Sequence, residues 1–329
     1  MKPLPSLALF AILALVVLIT APLIGMEWIP LSNVIDSTHN SVDYNIFWRI
    51  RVPRVLTAFL AGSALAVSGM VFQAMFRNAL ATPFTLGVAS GASLGAALSV
   101  TFGLTASFAG ISATTVMAFL GANISIALVY GLTHMRRGFS TATMLLSGVA
   151  ISFFFSSVIL FLQYSAELYN SFRMLRWVMG GLGLVGYDSL LSIIPFVVTG
   201  VVMLLYTTHE LNLLVLGDDI AISRGVDVLK TKRLLFFVTS LMVGSVVAVC
   251  GPIGFIGMMV PHMCRLMGGN DHRYLIPACL LFGGTFLTLC DTFARTALAP
   301  AELPVGVVTA FLGGPFFVML LLRGKEGTS

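Results

Sequence analysis

The chain has 329 residues, 58% of them hydrophobic and only 9% charged, with a formal net charge of +5 and a mean hydropathy of +1.00. Soluble domains carry about 25% charged residues, so this composition excludes a water-soluble fold and requires lipid as the solvent. The positive charges are scattered over the segments between apolar runs, which excludes a nucleic-acid footprint.

Lys2 and the apolar run 5–24 open the chain. No A-x-A pattern follows and further apolar runs do, so the sequence predicts an uncleaved first membrane helix rather than a signal peptide. Arg49, Arg51 and Arg54 crowd the entrance to the next run. Runs of about 20 residues, enough to cross a bilayer, follow at 55–75, 86–106, 111–133, 143–164, 189–208, 274–293 and 305–322. The remaining run, 234–264, holds no Lys, Arg, Asp or Glu and has Gly251-Pro252 near its middle, where a proline breaks or kinks a helix.

Cytoplasmic loops are enriched in Lys and Arg. With the N-terminus inside and 234–264 crossing twice, twelve Lys and Arg residues lie inside and six outside; a single crossing gives nine and nine. The sequence therefore predicts ten spans with both termini cytoplasmic. The eighth should be irregular, because Gly251 to Leu266 covers only about 24 Å as a helix against a core of about 30 Å. All six outward cations are arginines, the side chain suited to bidentate capture of carboxylates; snorkelling at helix ends is the plainer role.

"GSALAVSG" at 62–69 returns as "GSVVAVCG" at 244–251, in spans of opposite direction. An inverted repeat of this kind builds transporters, with halves at about 50–165 and 230–322 of a single transmembrane domain over 1–329. Gly87, Gly91 and Gly95 form a smooth row for helix packing. Cys250, Cys264, Cys279 and Cys290 lack metal spacing and read as packing thiols.

Enzymatic motifs are missing. There is no nucleotide-cradling G-x-x-x-x-G-K-[ST] and no H-E-x-x-H, and the histidines have no ligand spacing. Asp291 stands one turn before Arg295, which predicts an i, i+4 ion pair. The stretch "LGDDIAISRGVDVLKTKR" over 216–233 predicts two short cytoplasmic helices. Asp218 or Asp219 would cap the first, Gly225 would end it, and Asp227 would cap the second. Such a knob, on a chain with no ATPase of its own, suits docking to one. A self-contained secondary transporter would need an intramembrane ion site, and an intramembrane enzyme a paired nucleophile and base; neither pattern is present.

The motifs "RVPRVLTAFLAGSALAVSGMVFQAMFRNALATP", "LGVASGASLGA", "RWVMGG", "LGDDIAISRGVDV", "GPIGFIGMMVPHMCRLMGGNDHR", "CDTFART" and "ELPVGVVTAFLGGPFF" resemble, in order, the FecCD family of ABC-importer permeases. The family's usual proline after the asparagine is Ala79 here. The resemblance implies the type II importer fold of ten helices. It implies a homodimer in the bacterial inner membrane, two cytoplasmic ATPase subunits that carry the ATP and Mg, and a periplasmic binding protein. This chain itself would bind no cofactor or metal. The cargo would be a ferric siderophore, haem or cobalamin. Gly217, Asp218, Asp219, Ala221, Arg224 and Gly225 then match ATPase-coupling positions. Arg51, Arg54 and Arg295 match arginines that meet the binding protein, and Asn78, Leu80, Ser140 and Thr141 match inner-gate loops. Ser147, Ser152, Ser156, Gln163 and Met174 lie on segments that look like the wall of the path.

Overall fold

Backbone polar groups in hydrocarbon are satisfied in helices or in closed barrels, and apolar runs of about 20 residues select the helix. The computed structural model describes residues 3–25, 42–108, 110–135, 141–183 and 186–323. Its longer α-helices, in chain order, are α1 (Pro3–Thr20), α2 (Val52–Phe76), α3 (Val88–Thr101), α4 (Ala113–Met135), α5 (Thr141–Ser165), α6 (Leu168–Val178), α7 (Tyr187–Tyr206), α8 (Thr208–Leu216), α9 (Asp218–Ser223), α10 (Val228–Cys250), α11 (Ile256–Gly268), α12 (His272–Thr296) and α13 (Val305–Arg323); a short helix (Val42–Asn45) and a π-helical stretch (Ile46–Arg51) lead into α2, and a 3-10 turn (Pro83–Leu86) precedes α3. The one departure from an all-helical chain among the described residues is a small hairpin pairing Ser107–Phe108 with Ile111–Ser112.

Every apolar run carries a helix, and the run 234–264 divides between α10 and α11. Among the described residues, six segments are long and apolar enough to cross a membrane: Val42–Phe76, Ala113–Met135, Ala142–Ser165, Tyr187–Tyr206, Val228–Cys250 and His272–Thr296. Leu4–Thr20, Val88–Thr101 and Val305–Leu320 are apolar but shorter. The expected irregularity of the eighth run is present. Gly251 and Phe255 both take left-handed φ angles, +67° and +68°, and α11 has only 13 residues. The Gln73 amide donates to the carbonyl of Gly257 (3.2 Å), whose i+4 residue is Pro261 and offers no N–H, and accepts from the Arg265 side chain (2.5 Å).

Helix α2 is the hub, packed against α10, α11 and α12. Its small residues permit backbone contact where lipid gives no hydrophobic drive between helices. A Cβ at Gly62 would collide with the Gly283 carbonyl of α12, and one at Gly69 with the Gly257 carbonyl of α11. The row of Gly87, Gly91 and Gly95 does pack: Gly91 meets the Gly121 carbonyl, Gly95 meets that of Met117, and the Ser125 hydroxyl donates to the Gly87 carbonyl at 2.7 Å. We expect Gly69→Val to cut the yield of monodisperse, detergent-extracted protein about tenfold. Gly131→Ala, with no atom within 4 Å of the added carbon, should match the wild type by size-exclusion chromatography.

On the side of the chain that carries α8, Asn212 bonds to Asp271 and to His272, tying α8 to the start of α12. The backbone N–H of Arg273 and the Asn212 amide hold the Asp271 carboxyl below the usual carboxylate range.

Candidate functional site

The segment 216–233 forms one short helix and the first turns of a long one, not the expected pair of short helices. α9 is followed directly by α10, which runs unbroken for 23 residues. Gly217, at φ +132°, occupies the N-cap of α9, so Asp218 and Asp219 do not cap it; they sit in its first turn, where the helix dipole favours anions. Gly225, at φ +85°, ends it. Its N–H bonds to Ile222 and that of Val226 to Ala221, the pattern that closes a helix through a left-handed glycine. Asp227 caps α10 as expected, accepting from the Lys230 N–H at 3.0 Å.

Ala221 is buried and fixes the inner face of α9. The Asp218 carboxylate takes the Lys232 ammonium at 2.6 Å, and Lys232 is itself buried, so α9 is strapped to α10 by an ion pair. On the outer face Leu216, Ile220 and Ile222 are 61%, 45% and 59% exposed, beside exposed Asp219, Arg224 and Gly225. An exposed apolar tip of this kind marks a contact surface, for protein or for membrane.

At the other end of α2 the arginines depart from expectation. Arg51, Arg54 and Arg295 are all buried. Arg54 donates through Nε and Nη2 to the Asp291 carboxylate (2.9 Å at the closest) and through Nη1 to Glu302 (3.0 Å). Arg51 donates to the carbonyls of Pro22 and Leu23, and Arg295 to that of Ala21, so both cap the chain where α1 ends. The expected Asp291–Arg295 pair is replaced by Asp291–Arg54, because Asp291 turns into the α2–α12 contact and Arg295 turns to the end of α1. The exposed cation of this cluster is Arg49, beside half-exposed Trp48.

Of the expected inner-gate residues, Asn78 and Leu80 are exposed in the turn after α2, and Asn78 Oδ1 accepts from the Leu80 N–H at 2.9 Å. Ser140 lies outside the described residues; Thr141 begins α5. Along α5, Ser156 is exposed and Ser147, Ser152 and Gln163 are half-buried. Ser152 donates to the Gly148 carbonyl and meets Ser90 of α3 at 3.3 Å, so it faces the bundle. Met174, expected on the path wall, is buried against Ala97, Val100 and Ile159. Helix α6 itself escaped the sequence reading, although leucine, tyrosine and phenylalanine interleaved with Arg173 and Arg176 at 168–176 are its signal.

The family model described as the FecCD transport family matches residues 12–323. The chain is 37% identical over 329 residues to the Hemin transport system permease protein HmuU of Yersinia pestis, covering 99% of this chain and 98% of that one. It is 39% identical over 324 residues to the Vitamin B12 import system permease protein BtuC of Salmonella paratyphi A, covering 98% and 95%. A solved structure described as an inward-facing, metal-chelate type ABC transporter superposes with a TM-score of 0.86 at 29% identity, covering 96% of this chain and 98% of that one.

Proposed function

The chain belongs to the FecCD transport family, and from that premise we propose that it is the membrane permease subunit of an ATP-binding-cassette importer for a metal chelate: a ferric siderophore, haem or cobalamin. It works as a homodimer in the bacterial inner membrane with both termini cytoplasmic. Two ATPase subunits bind inside, carrying the ATP and Mg, and a substrate-binding protein docks outside.

Ten spans fit this reading: α1–α5, α7 and α10–α13. Repeat halves at about 50–165 and 230–322 are supported by paired contacts. α2 packs on α12 as α10 packs on α4; α2 on α11 as α10 on α3; α3 on α4 as α11 on α12; α3 on α5 as α11 on α13. The residue before α3 (Gly87, φ +79°) and that before α11 (Phe255, φ +68°) share a left-handed backbone. Half-helices entered this way suit a transporter built from inverted repeats.

The observation that carries the ATPase-driven reading is the exposed tip of α9 with the ion pair beneath it. Closure of the ATPase pair on ATP would push Gly217, Asp219, Ile220, Ile222, Arg224 and Gly225, and the Asp218–Lys232 pair would pass the push to α10. At its far end the Cys250 carbonyl accepts from the Gly181 N–H (2.8 Å) and the Gly180 carbonyl accepts from Gly306 (3.3 Å), so α10 reaches the junction of α6, α11 and α13. Asn78, Leu80, Ser140 and Thr141 would gate the inner mouth, and Ser147, Ser152, Ser156 and Gln163 would border the path. Arg51, Arg54 and Arg295 would set the outer rim on which the binding protein docks, with Arg49 as the exposed contact. Co-expression with the cognate ATPase is the test: it should co-purify at one ATPase per permease chain. A permease that purifies as a dimer and captures none would refute the reading.

A further inference from the structure

The joint between α8 and α9 is a single residue, Gly217. Its N–H bonds to the Leu214 carbonyl (3.2 Å), and its own carbonyl accepts from the Ala221 N–H (3.0 Å). Both helices are hydrogen-bonded to the joint, so a displacement of α9 is passed to α8.

What α8 grips is the start of α12. Asn212 Oδ1 accepts from the His272 N–H (3.0 Å) and from His272 Nδ1 (2.6 Å), and Asn212 Nδ2 donates to Asp271 Oδ1 (2.9 Å). Both lone pairs of Oδ1 are then in use, and the imidazole is held with its proton on Nδ1. Among the described residues the buried His272 Nε2 has no partner, so the ring is placed by Asn212 and not by a bond on its far side. Asp271 also caps α12, accepting from the Arg273 N–H (3.0 Å). Leu211 and Leu214 pack α8 into the core. Apolar surfaces can slide over one another; three directional bonds on one carboxamide resist sliding.

α12 carries this anchor across the membrane. It runs unbroken from His272 to Thr296, and Asp291 stands about 30 Å along it from Asp271, the thickness of the hydrocarbon core. There Asp291 pairs with Arg54 of α2 (2.9 Å), and Arg295 donates to the Ala21 carbonyl at the end of α1. One helix is therefore fixed at one end to the α8–α9 unit and at the other to the arginine cluster.

We propose that Asn212 is a positioning residue: through Asp271 and His272 it makes α12 a second branch, beside α10, by which ATPase closure on α9 moves the outer rim. The inference rests on the importer reading and adds to it a link between the two partner proteins. If ATP on one side moves the rim on the other, it must change the affinity of the binding protein there.

The test measures docking of the cargo-free binding protein to the permease–ATPase complex in nanodiscs, with and without Mg-ATP, using an ATPase variant that binds ATP without hydrolysing it. For the wild type, ATP should change the docking affinity at least tenfold. Asn212→Leu removes all three bonds at similar volume, and Asp271→Ser keeps the cap of α12 but cannot reach Asn212. Each should reduce the change to below about threefold, while capture of the ATPase and docking without ATP stay within about twofold of wild type. A merely structural role would lower capture and docking together. The double variant should lose no more than the worse single one, as expected when two side chains act through one contact. An unchanged response to ATP in both single variants, losses that multiply in the double variant, or a wild type whose docking ignores ATP would overturn the inference. The importer reading fails separately, if the wild type captures no ATPase.

Discussion

Arg54→Met is expected to destabilise the protein by about 3–5 kcal/mol, the cost of leaving a buried charge without its partner. The Asp291 carboxylate is 1% exposed and takes three of its hydrogen bonds from Arg54. Asp291 lies in α12 and Glu302 just before α13, while Arg54 opens α2, so the loss would loosen three elements at once. The double variant Arg54→Met/Asp291→Leu removes both charges and should recover more than half of the loss, because apolar side chains of similar volume replace a buried pair at little cost. Glu302 tolerates this, being 32% exposed. Thermal midpoints in detergent would check it. A single variant as stable as the wild type, or a double variant worse than the single, would show that the pair does not bear on stability.

Ile220→Asp/Ile222→Asp is expected to abolish ATP-driven uptake, a loss of at least a hundredfold, while the protein still folds and dimerises. Both side chains point away from the bundle, so the substitutions remove no core contact. They place two carboxylates on the apolar tip that an ATPase cleft would bury, beside Asp219. Capture of the ATPase should fall with uptake. Ala221→Asp makes the informative contrast, since Ala221 is buried and its variant should fail to fold. Normal ATPase capture and uptake by the isoleucine double variant would remove α9 from the coupling path.

The extent to which these features were legible in the sequence differs by element. The apolar runs announced each long helix because hydropathy over about 20 residues is a sum, tolerant of local error. The break at 251–255 was legible from Gly251-Pro252 and from the length of the run, and the end of α9 from Gly225. The arginines were not. Their clustering was visible, but the partner of Arg54 lies 237 residues away, and the only local rule available joined Asp291 to Arg295. Burial of Arg51 by Pro22 and Leu23, and of Arg295 by Ala21, depends on where the end of α1 comes to rest, which no spacing encodes. Lys232 escaped for the opposite reason. It reads as one more positive-inside residue, and only the fold back of α9 onto α10 makes it the partner of Asp218. α6 was missed because it has 11 residues and mixed polarity, too short and too wet for a span.

The central claim, that this chain moves a chelate by power supplied from outside itself, is most directly tested in proteoliposomes. The permease is reconstituted with its ATPase and binding protein, and entry of a labelled chelate is followed with ATP, without ATP, and with an imposed proton or sodium gradient alone. Uptake that requires ATP, the ATPase and the binding protein together, and that ignores the gradients, is the predicted result. Uptake by the permease alone under a proton or sodium gradient would contradict the account and make the chain a secondary transporter.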